Sequence, residues 1–371
     1  MIFKLDDFFY SSKRKYVYAD YILNINNIDK EQFLKKLGIA YSSFRTEKSR
    51  NNVHNDNIDR ILDTLGINKI DVLKKVELEL LLKNFYYAIY YKEKDKINSY
   101  IEIINNYIKE NNILKPVFIM FKIWGNISLD YPKEKIDELI DEDLKFISYF
   151  KKGYFDGSLK LIYYSLLYAF NYDIRFEEVS SLAVDNDLKW MYLVSVGSRF
   201  YFERRDNEAL NYYFEALMEF KLHNNSERYM SVLANIAFSH NILKNYTMSL
   251  KIISESLEYI HSSKNSKWIK NILMHYLYSN YMLSRYNEII NFYKNEIHNF
   301  KRLNWVSAAI LILSAYKISR ISEISSLIEE FKDDDNISLL LKYIKDNNIE
   351  HIKKIKNVTY MENIINTFIP N

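Results

Sequence analysis

The sequence predicts an all-α chain in two parts: an N-terminal helical unit over residues 1–67, then an array of helical hairpins over residues 68–371. Three observations predict it. Helix breakers are scarce, with six Gly and three Pro in 371 residues, so long helices meet few interruptions. Apolar residues recur at helical spacing almost throughout, and no alternating strand pattern is sustained. Finally, a block recurs in the second half, with Ala209, Ser249 and Ile289 standing forty residues apart.

Composition narrows the class. The chain is 48% apolar and 27% charged, the balance of a globular protein rather than a disordered one. It has no cysteine. Disulfides and thiol chemistry are therefore excluded, and a reducing cytoplasm fits. The opening, MIFKLDDFFY, places two acids where a secretion signal needs a basic and then an apolar run. Apolar stretches such as Val306 to Tyr316 are too short to cross a bilayer. A cytoplasmic protein with no membrane partner is expected. The net charge of +3 is too small to argue for nucleic acid, so local placement must decide.

Each N-terminal element has a local cause. Lys15 to Leu23 reads as a helix. Asp29 can cap another beginning at Lys30, with Phe33 and Leu37 on one face. Gly38 stands where the chain must turn, because glycine enters the left-handed region cheaply. Ile39 plugs the turn. A second helix begins near Ala40 to Ser42, with Phe44 inward and Arg45, Lys48 and Arg50 outward. A polar loop, Asn51 to Asn55, leads to a further helix whose inward side carries Ile58, Ile61, Leu62 and Leu65, ended by Gly66.

The spacing from Asp29 to Ile67 resembles the helix-turn-helix of the Cro/repressor-like family. In that family the second motif helix enters the major groove of duplex DNA. The resemblance implies that Tyr41, Ser42, Ser43, Arg45 and Thr46 face the groove, with Arg45 able to read guanine bidentately. It places Gln32, Lys48 and Arg50 near the phosphate backbone. One departure stands out. The family carries a small residue where this chain has Leu34, which implies a shifted helix or a partly exposed leucine. The competing reading is an ordinary helical cap on the array. Residues 1–66 hold eleven basic residues, Lys13, Arg14 and Lys15 among them, against nine acidic ones, a net of +2.

Beyond Ile70 the runs Val72 to Tyr91 and Lys94 to Lys109 read as amphipathic helices. Three blocks then fall in step. Gly197, Phe200, Ala209, Tyr213 and Ala216 mark the first; Ala237, His240, Tyr246, Ser249, Ile253 and Ser256 mark the second. Leu277, Asn280, Tyr286, Ile289, Tyr293 and Glu296 mark the third, where the small residues are lost. A shorter hairpin comes next, around Ala308 to Phe331, and Tyr163 to Val184 and Glu77 to Ile108 match more weakly. Small residues let paired helices approach closely, and aromatics fill between hairpins.

This pattern resembles tetratricopeptide repeats with a lengthened period. The resemblance implies a solenoid whose first helices line a concave side. Ser198, Tyr201, Phe202, Asn235, Phe238, Asn241, Ile242, Met274, Tyr278 and Tyr281 are expected there. Tyr201, Asn235, Phe238, Asn241, Tyr278 and Tyr281 are the residues assigned to a peptide: Asn can bond its backbone, and Tyr offers flat apolar area with a polar tip. For any single aromatic, packing between repeats is the competing role.

No reaction is legible. The six glycines never take a phosphate-loop spacing, and the seven histidines form no metal pair. Asp333, Asp334 and Asp335 lack the pattern of a calcium loop and read as a solvated turn. His240 and His275 fall on repeat helices and read as packed or hydrogen-bonded. Neither enzymatic activity nor a cofactor is expected. Together, the domain order and repeat type resemble the RNPP family of peptide-sensing regulators of Gram-positive bacteria and their phages, which includes the arbitrium receptors. That resemblance implies a homodimeric transcription factor on an inverted-repeat operator, tuned by a short signalling peptide. A repeat-built adaptor that never touches DNA is the alternative, and a phosphatase-regulating array of the same superfamily is a further one.

Overall fold

The computed structural model describes residues 3–42, 44, 55–68, 71–129, 132–150, 154–170, 176–182, 188–256, 268–295, 303–355 and 359–368. Among them every regular element is helical, and the one strand-like pairing is an isolated bridge between Asn68 and Asn112. The chain divides into two units, Met1–Arg199 and Phe200–Asn371. That division falls far beyond residue 67, because the first helices share a core with the helices after residue 75.

In the first unit, α1 (Asp6–Tyr10) and α2 (Ser12–Ile25) precede α3 (Lys30–Lys36) and α4 (Asn55–Thr64). A 3-10 turn, Val72–Lys74, then leads into α5 (Lys75–Tyr91), α6 (Lys94–Lys109), α7 (Lys115–Ser128), α8 (Lys133–Ser148), α9 (Gly157–Ala169) and α10 (Phe176–Ser180). Phe3 is fully buried, its ring 5.1 Å from Phe121 and 5.9 Å from Tyr86. This aromatic core runs on through Trp124 to Trp190, whose indole N–H donates to the Tyr86 hydroxyl at 3.3 Å. A second cluster gathers Phe8, Tyr18, Phe150 and Tyr154, with the Tyr18 hydroxyl donating to Asn111 at 2.9 Å. The Leu5 amide donates to Glu79 at 2.7 Å, and Asp6 pairs with Lys75. Burying rings from both ends of the segment fixes residues 3–25 against α5, α7 and the chain around Tyr154.

Helix α11 (Lys189–Phe202) carries the chain into the second unit. Hairpins succeed it: α12 (Asp206–Leu222), α13 (Ser226–Ile242) with α14 (Tyr246–Glu255), α15 (Trp268–Met282) with α16 (Tyr286–Asn295), and α17 (Trp305–Lys317) with α18 (Ser325–Glu330). Short helices α19 (Asp335–Asp346), α20 (Ile349–Lys353) and α21 (Thr359–Ile365) end the unit. The forty-residue recurrence is visible in the backbone. Arg204, Lys244 and Ser284 take left-handed φ values of 60°, 60° and 58°. The next amide in each case, of Arg205, Asn245 and Arg285, closes on the carbonyl of Phe200, His240 and Asn280 at 2.8, 2.8 and 2.9 Å. This is the bond pattern that ties off a helix end and satisfies its orphan carbonyl. It recurs thirty-five residues on, at Ser319 (57°), with Arg320 bonding Ala315.

The residues in step are buried where close approach requires it: Ala209, Ala216, Ser249 and Ser256 in the first two blocks. In the third, Ile289 and Ile290 are fully buried, so bulk replaces the small residues without loss of burial. Asp334, read as part of a solvated turn, caps α19 by accepting from the Asn336 and Ile337 amides at 2.9 and 3.1 Å.

Candidate functional site

Two surfaces bear on function. The first is the N-terminal unit. Asp29 caps α3 by accepting from the Gln32 amide at 2.9 Å, and Gly38 turns the chain at φ +66°. Arg60 of α4 donates to the Leu37 carbonyl at 2.7 Å, holding the end of α3. The backbone is helical at Tyr41, Ser42 and Phe44. Leu34, Ile39, Phe44, Ile58, Ile61 and Leu62 are buried, and Phe44 lies 4.5 Å from the Tyr16 ring of α2.

Leu34 is fully buried, which removes the partly exposed leucine and leaves the other alternative, while Phe33 and Leu37, expected on the inward face, are only half-buried. One residue is about 100° of helix rotation, so the inward stripe passes through Leu34 and the two expected residues sit on its shoulders. Arg14, counted among the basic residues of this unit, is not a surface cation. It is buried beneath Phe8, 4.2 Å from the ring centre, and paired with Asp156. Lys15 pairs with Asp59 at 3.0 Å. Neither adds a free cation to the unit's surface. Gln32, Tyr41 and Ser42 are exposed, Tyr41 by 42%. Ser43, Arg45, Thr46, Lys48 and Arg50 lie outside the described residues.

The second surface lies on α13 and α15. Of the residues assigned to a peptide, Tyr201, Asn235 and Phe238 are half-buried, whereas Asn241, Tyr278 and Tyr281 are buried. Much of what covers this face is the chain's own end. Tyr360 of α21 stacks on Tyr278, ring centres 3.8 Å apart and planes 3° from parallel. Its other neighbours are Phe238 at 5.6 Å and His275, edge-on, at 5.6 Å. Asn363 donates to the Tyr278 hydroxyl at 3.0 Å.

A polar network lies beneath the stacked rings. Asn241 Nδ2 donates to the Tyr360 hydroxyl at 3.0 Å, and that hydroxyl lies 2.7 Å from His275 Nδ1. The hydroxyl can accept from Asn241 and donate to His275 Nδ1 when the imidazole is neutral and protonated on Nε2. Burial acts in the same direction, pulling His275 down to about 3. Ser279 Oγ lies 2.7 Å from Asn241 Oδ1 and 2.8 Å from the His275 carbonyl, both within reach of its single proton. Desolvation raises the phenols of Tyr278, Tyr281 and Tyr360, so all three remain neutral donors. His240, on α13, is buried with neither ring nitrogen bonded among the described residues.

No protein-family model and no curated protein matches this chain. Among the described residues no three His, Asp or Glu side chains stand together as a metal site, and no helix is long and apolar enough to cross a membrane. Sequence reading named Phe238, Asn241 and Tyr278, which Tyr360 contacts, and did not name Tyr360. The available signal was slight: Tyr360, Met361 and Ile364 place a ring and two apolar side chains on one side of a short helix.

Proposed function

We propose that this chain is a DNA-binding transcription regulator of the peptide-sensing kind, acting as a homodimer on an inverted-repeat operator. The supporting observation is the unit around Gly38. A capped helix, a glycine turn and a resumed helix share one buried core, and Tyr41 and Ser42 at the start of the resumed helix face solvent. A reading helix needs that arrangement, with its N-terminal residues on the outer side toward base edges. The repeat-bearing second unit supplies the sensing half, and a short peptide bound on the α13–α15 face alters operator affinity through a coupling free energy.

The test is duplex binding by fluorescence anisotropy, using duplexes enriched from a random-sequence pool. Specific retention should weaken steeply as salt rises, because phosphate contacts release counterions. Arg45→Ala should cost about 1–3 kcal/mol on the enriched duplex if Arg45 reads a base. Equal retention of both chains removes Arg45 from the groove, and no retention at low salt removes DNA altogether. A docking array without DNA is the second reading. Its support is the exposed apolar stripe Leu73, Val76, Leu80, Tyr87 and Tyr91 along the start and length of α5.

A further inference from the structure

Helix α21 is anchored on the face assigned to the peptide by Tyr360, and two more of its side chains are buried. Tyr360 is 3% exposed, and Met361 and Ile364 are fully buried. Glu362, Asn363 and Asn366 on its other side are exposed. The segment is thus a seven-residue amphipathic helix with an aromatic anchor. Helices this short do not hold together in water on their own, so its order comes from the face beneath it.

That face is suited to being uncovered. Two of the groups that Tyr360 bonds are polar, the Asn241 amide and the His275 ring, and water can satisfy both when the segment leaves. The anchor's recognition is chemically specific. Flat apolar surface comes from Tyr278 and Phe238, and the phenol oxygen meets one donor, Asn241, and one acceptor, His275. A phenylalanine would satisfy the stack and remove one hydrogen bond from each partner.

We propose that residues 359–368 are a tethered occupant of this face, and that the ligand displacing them is a helical peptide presenting a tyrosine with apolar residues one and four positions later. This rests on the peptide-sensing reading and names its ligand class. The chain's own end then acts as a built-in competitor. A tethered segment competes at an effective concentration on the order of millimolar, so a free peptide must match the anchor to win.

The experiment uses the full chain and a labelled peptide of the sequence TYMENIINTF. Full-length Tyr360→Ala should bind this peptide with a Kd at least ~10-fold below that of the natural chain, since the competitor has lost its anchor. The same peptide with its tyrosine replaced by alanine should bind neither chain. No binding to a cooperatively melting Tyr360→Ala chain at millimolar peptide overturns the proposal. If that variant does not melt cooperatively, hydrogen exchange of the natural chain decides. Saturating peptide should lower the protection of amides 360–368 by roughly tenfold, because it captures the uncovered face, and leave α15 unchanged. Unchanged protection at 360–368 overturns the proposal. Duplex retention is read separately on the natural chain, so the loss of this inference and the loss of the regulator reading are distinguishable.

Discussion

At the scale of single residues, His275 carries the clearest consequence. Its imidazole is held near 3 in the folded chain against 6.5 for an exposed histidine. Between those values the unfolded chain binds more protons, so unfolding free energy rises with pH, by at most about 1.4 kcal/mol per unit for one group. This contribution is fully present above pH 6.5 and is lost as pH falls toward 3. Urea denaturation at about pH 7 and about pH 5 should therefore show a smaller stability gap for His275→Gln than for the natural chain. Parallel curves would locate the acid sensitivity elsewhere. Tyr360→Phe keeps the stack on Tyr278 and removes the hydroxyl's hydrogen bonds to Asn241 and His275, an expected cost of about 1–3 kcal/mol in the same measurement.

At the scale of elements, the repeat turn is the governing device. Lys244 holds a left-handed φ of 60° without being glycine, and a side chain there costs about 1–2 kcal/mol. Glycine removes that cost and adds roughly 0.5–1 kcal/mol of unfolded-chain entropy. Calorimetry of Lys244→Gly should show a net gain on the order of 0.5–1 kcal/mol, and a loss would mean that the lysine side chain contributes a contact worth more than its strain. Close helix approach makes the opposite prediction at Ala209, which is fully buried. Ala209→Leu should destabilise by about 1–3 kcal/mol through overpacking, and a lowered midpoint at unchanged denaturant slope is the signature.

At the scale of the whole molecule, the boundary between parts decides which fragments can stand alone. Residues 1–67 read as a separable domain from sequence, yet Phe3, Phe8 and Tyr18 bury their rings against residues beyond that point. Expressed alone, residues 1–67 should show no cooperative thermal transition by circular dichroism, because those rings would face water. A sharp transition in the fragment would show that the core around Leu34 and Phe44 suffices.

The sequence by itself determined those features that depend on near neighbours in the chain. Helical spacing set α5 and α6 to within a few residues, Asp29 and Gly38 marked the cap and turn they form, and the forty-residue spacing of Ala209, Ser249 and Ile289 has its counterpart in the backbone turns at Arg204, Lys244 and Ser284. Caps, turns and periodicity are local, so their causes are written within a few positions. Tertiary structure alone decided the rest. Whether Phe33 or Leu34 faces inward depends on one helix's rotation against α2 and α4, about 100° per residue. That Arg14 is used up by Asp156, 142 residues away, has no local signal. Nor does the pairing of Tyr360 with Asn241, 119 residues apart. Contacts at such separations are set by how the helices stack, and stacking sums many weak contacts that no single segment specifies.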